Sequence, residues 1–167
     1  MLWAKKYFRL TLCCILLFFI NCVGTINTKN DLLVKDKISH IIAKNPESHI
    51  ELLFYRQFRH VARNTPINAI YTLNYKLDVS NTQTLSVTQN SSNLKSTSVA
   101  VKFELKHTQT GQLIHRGKIR SEATSGAVSG LYAQEQSEKF ARERLTVLLA
   151  QRVYQNLYLY FLENHDS

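Results

Sequence analysis

The fold is decided by one stretch, Tyr71-Thr-Leu-Asn-Tyr-Lys-Leu-Asp-Val79, in which apolar and polar side chains alternate strictly. Successive side chains of a β-strand point to opposite faces of its sheet, so this alternation predicts a half-buried strand of about ten residues. The alternation returns from Val99 to Leu105, and a further strand is predicted from about Leu113 to Glu122. Thr110-Gly111-Gln112 predicts a tight turn between these two segments. The order therefore predicts three consecutive antiparallel strands.

Two helices are predicted on either side of these strands. Asn45-Pro46-Glu47 resembles a helix start, because Asn is a favoured N-cap and Pro suits the first helical position. Apolar residues then recur at helical spacing from His49 to Arg63, and Pro66 ends the helix. A long last helix is predicted from Tyr132 toward Glu163. The arginines of the first helix share the side away from its apolar stripe: Arg56, Arg59 and Arg63.

The segment order predicts an α+β fold. A short first strand over Ile38 to Ala43 completes the order β-α-β-β-β-α. A long polar connection over Asn81 to Thr97 joins two of the strands, and continuation of the first of these strands through Val87 is the alternative. Two amphipathic helices can then pack on one face of a mainly antiparallel four-stranded sheet, which is a two-layer sandwich. The predicted core comprises Phe54, Phe58, Tyr71, Leu73, Tyr75, Leu77, Val101, Phe103, Leu105, Leu145 and Leu148.

The N-terminal segment predicts export. Lys5, Lys6 and Arg9 precede the apolar run from Thr11 to Ile20, which covers about 15 Å as a helix, half of a bilayer core. A positive flank, a short apolar run and an early return of polar residues are typical of a secretory signal. A short anchor that is never cleaved is the alternative. With 167 residues, the chain is predicted to hold a signal peptide over 1–21, a lipid-anchored tether over 22–36 and a single α+β domain over 37–165.

Cys22 lies just past the apolar run, in Phe19-Ile20-Asn21-Cys22-Val23-Gly24. A cysteine at this point resembles the lipid-attachment site of bacterial lipoproteins, in which the thiol receives a diacylglycerol and the chain is cut before it. Cys22 is therefore the predicted lipidation site, with ordinary cleavage nearby or a retained anchor as the alternatives. Cutting before Cys22 leaves one cysteine, so no disulfide could form within the mature chain.

The chain is basic, with 21 Lys and Arg against 12 Asp and Glu. This balance indicates an anionic partner such as a nucleic acid, an anionic lipid or a phosphorylated ligand. Nucleic acid is disfavoured, because the basic strands lack the interleaved aromatic residues of a base-stacking platform. The polar phases of the three later strands place Asp78, Glu104 and six cations on one sheet face. These predicted ligand-binding cations are Lys76, Lys102, Lys106, Arg116, Lys118 and Arg120.

An ordinary solvated sheet face, with lysines that prevent edge pairing, is the other interpretation of this charge.

Residue patterns typical of catalytic or metal sites are weak in this sequence. His49 and His60 lie about 16 Å apart along one helix, too far for a shared metal. The loop from Gly126 to Gly130 lacks both the nucleophile-turn spacing and the lysine of a phosphate loop. The sequence therefore predicts a protein that is not an enzyme and uses no metal and no cofactor; a small exported hydrolase is the disfavoured alternative.

The layout of the chain resembles that of the LPS-assembly lipoproteins of the LptE family, in their alphaproteobacterial form. The matching parts are the signal with Cys22, the strand from Tyr71 to Val79, and a Thr-Gly-x-Leu-x-x-x-Gly hairpin from Thr110 to Gly117. The resemblance spans roughly residues 22–165 and implies the fold predicted above.

The resemblance also implies a function. Members of the family lie at the periplasmic face of the outer membrane, plug the β-barrel of the lipopolysaccharide translocon LptD, and bind lipopolysaccharide through basic residues. The predicted partners are accordingly LptD, lipopolysaccharide and, through the acyl anchor, outer-membrane lipid. An auxiliary lipoprotein subunit of a lipid-transport ABC system is the alternative.

Overall fold

A computed structural model describes residues 28–63, 68–84, 94–125 and 130–164. The elements in chain order are α1 (Thr28–Ser39), β1 (Ile41–Ala43), α2 (His49–Ala62), β2 (Tyr71–Thr84), β3 (Leu94–His107), β4 (Leu113–Ser125) and α3 (Leu131–Glu163). The four strands form one sheet in the order β1-β2-β3-β4, with β1 parallel to β2 and the other pairs antiparallel. The predicted α+β class and the order β-α-β-β-β-α are confirmed, with one additional helix at the start.

The helices cover one face of the sheet. α3 lies against β3 and β4, and α2 packs beside α3 and contacts β2. The core between the layers includes Phe54 and Phe58 of α2, Leu73 of β2, Phe103 of β3 and Leu149 of α3, each at most 2% exposed. Since every one of these side chains is apolar and enclosed, the layers are held together mainly by burial of apolar surface.

The predicted core is confirmed for most of its members. Tyr71 and Leu77 are only partly buried and pack against the edge of the core. Leu148 was placed wrongly: it is 37% exposed, whereas Leu149 is fully buried. Adjacent residues of a helix point about 100° apart, so a small error in assigning the buried side of a long helix puts one residue in the core in place of its neighbour.

The start of α2 differs from the prediction. Ser48, not Asn45, is the N-cap, and its hydroxyl accepts a hydrogen bond of 3.2 Å from the Glu51 amide. The Glu51 carboxylate in turn accepts one of 2.8 Å from the Glu47 amide. The first bond satisfies the Glu51 amide, which has no partner within the helix, and the second holds the chain just before the N-cap; Asn45 lies too far from the first turn to make the first bond.

Residues 28–36, which the sequence assigned to a tether, form most of α1 instead. Val34 and Ile38 are fully buried in the common core. The Tyr158 hydroxyl donates a hydrogen bond of 2.9 Å to the Asp31 carboxylate, which joins α1 to α3. A hydrogen bond of 2.7 Å from Lys35, together with the one from Tyr158, holds the pKa of Asp31 below its ordinary value. Two buried apolar residues one turn apart thus dock this helix, whose other apolar residues, Leu32 and Leu33, are exposed.

Cys22 and the apolar run lie outside the described residues. The signal peptide, the lipidation and the division of the chain into 1–21, 22–36 and 37–165 therefore stay predictions. Within the described ranges, no helix combines the length and the apolar character needed to cross a membrane.

The hairpin of β2 and β3 is longer than predicted. The two strands pair from Tyr71 with His107 to Thr84 with Leu94. β2 continues past Asn81, in the direction of the alternative that extended it through Val87, and the predicted connection is wrong where residues 94–97 begin β3. Backbone pairing needs no apolar side chain, and Ser, Thr and Asn can extend a ladder that the apolar segments have started. The part of the connection over 85–93 lies outside the described residues.

Candidate anion-binding face of the sheet

All six predicted cations lie on the sheet surface that faces away from the helices. Their neighbours along the strands, such as Tyr75 and Phe103, are buried toward the helices, whereas Lys76 and Lys102 are exposed. We call this surface the open face. It carries Lys76, Lys102, Lys106, Arg116, Lys118 and Arg120.

A row of three lysines crosses the middle of the open face. Lys76 pairs in register with Lys102, and Lys102 pairs with Lys118. Directly opposed residues on antiparallel strands have Cβ atoms about 5 Å apart, and like charges at that spacing repel each other. An anion bound across the row would therefore relieve repulsion as well as gain attraction.

Carboxylates neutralise half of the cations. Lys102 Nζ lies 3.1 Å from Asp78, Lys106 Nζ lies 2.8 Å from Glu104, and Arg120 lies 3.7 Å from Glu122. Arg120 also donates from Nε to the Ser98 hydroxyl at 2.7 Å. The remaining three cations make no ion pair with any described residue: Lys76, Arg116 and Lys118.

The sequence count of this face overlooked one acid. Ser98 pairs with Glu122 in register, and this places Glu122 on the open face beside Arg120. The open face therefore carries six cations and three carboxylates rather than two, so its excess of positive charge is lower by one than the sequence count gave. The face remains cationic.

The acids of the open face stay charged because of their neighbours. A hydrogen bond from Lys102, with Lys76 and Lys118 nearby, lowers the pKa of Asp78 below its ordinary value. Lys106 lowers the pKa of Glu104 in the same way, with a contribution from Arg116. Both carboxylates are therefore ionised at neutral pH, and they hold Lys102 and Lys106 in place beside the cations that lack such a partner.

A shallow concavity of about 700 Å³ lies on the open face. Its floor is the strand backbone at Tyr75, Phe103 and Gly117, and charged side chains surround it. The lining charged residues are Lys44, Lys76, Lys102, Glu104, Arg116 and Lys118.

Lys44 was missed by the sequence analysis. It follows β1, whose pairing with β2 brings it beside the concavity, and its Nζ lies 2.6 Å from Glu47. The parallel pairing of β1 with β2 leaves no mark on the local sequence pattern, so no sequence signal could have found Lys44.

One end of the open face is partly apolar. Ile42 is 38% exposed and pairs with Thr72, which pairs with Lys106. Leu113 is 43% exposed and lies next to Lys106 in register. The surface thus combines cations with adjacent apolar side chains, an arrangement that suits an anionic amphiphile, because charge contacts and apolar burial then act on one ligand.

Chemistry beyond binding has little support in the described part of the chain. There, no three His, Cys, Asp or Glu side chains lie close enough together to hold a metal ion. His115 is engaged structurally, with Nε2 2.8 Å from Asn156 and its ring stacked 4.4 Å from that of Tyr160. Residues 126–129 of the glycine-bounded loop lie outside the described residues.

The described architecture is that of a two-layer α+β sandwich with one uncovered, basic sheet face. No protein-family model matches the chain, and no curated protein sequence matches it significantly.

Solved structures of bacterial lipoproteins share the fold. A provisionally assigned lipoprotein from Caulobacter crescentus has a TM-score of 0.62 at 16% identity, over 78% of this chain and 96% of that one. Rare lipoprotein B from Shewanella oneidensis has a TM-score of 0.55 at 12% identity, over 75% and 96% of the two chains. A minor lipoprotein from Acinetobacter baumannii has a TM-score of 0.54 at 11% identity, over 71% and 90%. At such identities the likeness shows the fold that this chain shares with them.

Proposed function

We propose that this chain is a non-enzymatic lipoprotein of the outer membrane, held at the periplasmic face by acyl chains on Cys22. There it plugs the barrel of a translocon of the LptD type and binds lipopolysaccharide through the open face. The observation that carries this proposal is the uncovered cationic sheet face on a fold shared with bacterial lipoproteins.

The chemistry of the open face fits a phosphorylated lipid. Lysines act as point charges toward phosphate, and arginines donate in a forked, bidentate geometry. Lys76 and Lys118 make no direct ion pair with any described residue, so a phosphate could bind them without breaking one. Ile42 and Leu113 supply apolar surface beside the charge, where the start of an acyl chain would be buried.

The helical layer supports the presence of a protein partner. Leu159 and Leu162, near the end of α3, are 53% and 39% exposed. The two leucines are three residues apart and therefore lie on one side of α3, where they form an exposed apolar contact point that a protein partner would cover. The two layers would then have separate tasks, with lipid on the sheet side and protein on the helical side.

The proposal is tested by purifying the full chain from membranes and identifying what accompanies it. We expect an outer-membrane barrel and lipopolysaccharide with the wild type. The variant Arg116→Glu/Lys118→Glu should retain the barrel and lose the lipopolysaccharide, because neither residue lies on the helical side. A Cys22→Ser variant should be released from the membrane or left unprocessed.

The matched control is Lys139→Glu/Arg144→Glu, which reverses two exposed charges on α3 and should keep both companions. Purification with an inner-membrane transporter in place of a barrel would favour the ABC-system alternative. An equal content of lipopolysaccharide in both reversal variants would refute the role of the open face.

A further inference from the structure

The outward side of α2 carries a second cationic surface, which the open face does not use. Arg56 and Arg59 lie three residues apart on one side of the helix, and Arg63 follows them as its C-cap residue. Phe54 and Phe58 occupy the roughly opposite side and are fully buried. The three arginines are exposed and span about 10 Å along the axis. We call them the arginine stripe.

No carboxylate among the described residues neutralises the arginine stripe. The Arg59 guanidinium lies 5.5 Å from the centre of the Tyr55 ring, and its Nη1 donates to the Tyr55 hydroxyl at 3.4 Å. Tyr55 therefore restrains Arg59 without cancelling its charge. Tyr55, Arg56, Arg59 and His60 together line a shallow groove of about 310 Å³.

The composition of this surface favours a protein over a lipid. Arg and Tyr are enriched in protein interfaces and at their energetic centres, whereas Lys is depleted there. The arginine stripe contains no lysine, whereas four of the six cations of the open face are lysines. In addition, no large apolar side chain of α2 is strongly exposed, so the helix offers nothing to insert into a bilayer.

The geometry defines the complementary chemistry. The helix fixes the spacing of the backbone at Arg56 and Arg59, and a guanidinium group can bind a carboxylate through two parallel hydrogen bonds. We infer that the arginine stripe docks an acidic segment of a protein partner, with Asp or Glu side chains spaced along about 10 Å. The inference rests on the proposed function only in its assumption that such a partner exists.

Photo-crosslinking tests this docking in the full chain. His60 is exposed and lies beside the arginines, so a photo-reactive amino acid placed there should form an adduct with an Asp- or Glu-rich segment of one protein. Arg56→Gln/Arg59→Gln should lower the yield of that adduct about tenfold, as expected for the loss of a central interface charge. Arg63 is left unchanged because its φ of 49° makes substitution there a backbone change as well.

The control is Lys139→Gln/Arg144→Gln, which removes two exposed charges from α3 and should leave the adduct unchanged. A charge exchange completes the test: Arg59→Glu should abolish the adduct, and replacement of the crosslinked partner carboxylate by Arg should restore it. Unchanged melting of every variant shows that the fold is intact.

Three results would overturn the inference: an adduct insensitive to the arginines, an adduct with lipid, or no adduct with any protein. Failure of this inference can be distinguished from failure of the proposed function, because the proposed function is tested by the loss of lipopolysaccharide from Arg116→Glu/Lys118→Glu. The arginine stripe variants should bind lipopolysaccharide as the wild type does.

Discussion

Gly117 and Phe103 are cross-strand partners whose packing links the core to the open face. The Phe103 ring lies over the Gly117 backbone, so that a Cβ built on Gly117 would be only 2.5 Å from Phe103 Cζ. Glycine is required here by close approach and not by its φ angle. The same residue forms part of the floor of the concavity, so a single position serves both the core and the binding surface.

We expect Gly117→Ala to destabilise the protein by about 1–3 kcal/mol, because the methyl group must displace a buried ring. Thermal unfolding measures this directly. Phe103→Leu removes the ring tip that clashes, so the double variant should be more stable than the sum of the two single effects predicts. Simple additivity of the two free-energy changes would contradict the close packing.

Helix α1 belongs to the folded domain, which therefore includes residues that precede β1. Val34 and Ile38 are fully buried, whereas Leu32 on the other side of α1 is 67% exposed. The helix is therefore docked by one side only, through residues spaced one turn apart. The sequence pattern of one polar segment with scattered apolar residues did not distinguish this arrangement from a tether.

Ile38→Ala should lower the free energy of unfolding by about 2–5 kcal/mol, the usual cost of truncating a large buried aliphatic side chain. Leu32→Ala is the matched control, since an exposed position should change stability by no more than about 0.5 kcal/mol. Equal effects of the two substitutions in denaturant unfolding would show that α1 is not part of the folded domain.

The start of β3 is a second element boundary that the sequence pattern did not predict. Ser96, Thr97 and Ser98 are buried within β3, although their composition is typical of a loop. Their strand character comes from pairing with β2 and β4 on both sides, a tertiary effect that overrides local propensity. For this reason the sequence predicted β3 from Val99 onward and not its first residues, which begin at Leu94.

For the whole molecule, the order of helical and alternating segments predicted the fold class, and the alternation along the three long strands predicted the face that carries each charge. A residue's face depends only on its strand phase, which is why all six cations lie on the predicted face, whereas their role in binding stays a prediction. Lys44 could not be predicted, because its position depends on which strands are neighbours. Glu122 lay within the predicted fourth strand, and its phase would have identified it. The additional helix α1 was not predicted, because two buried residues are too few to establish a helical repeat in the sequence.

The division of the surface follows from this architecture. The sheet side presents lysine-rich charge around a concavity, and the helical side presents the arginine stripe together with Leu159 and Leu162. A lipoprotein that binds lipid on one layer and a protein on the other could hold the lipid against its partner. Binding of lipopolysaccharide by the open face is therefore the central element of the proposed function.

The most direct test is a titration of lipopolysaccharide against three folded proteins at two salt concentrations: wild type, Arg116→Glu/Lys118→Glu and the control Lys139→Glu/Arg144→Glu. At about 0.1 M salt, where the Debye length is about 10 Å, we expect the open-face variant to bind at least about tenfold more weakly than the other two. At about 1 M salt the Debye length falls to about 3 Å, and the difference should narrow. Equal, salt-insensitive binding by all three proteins would contradict the account.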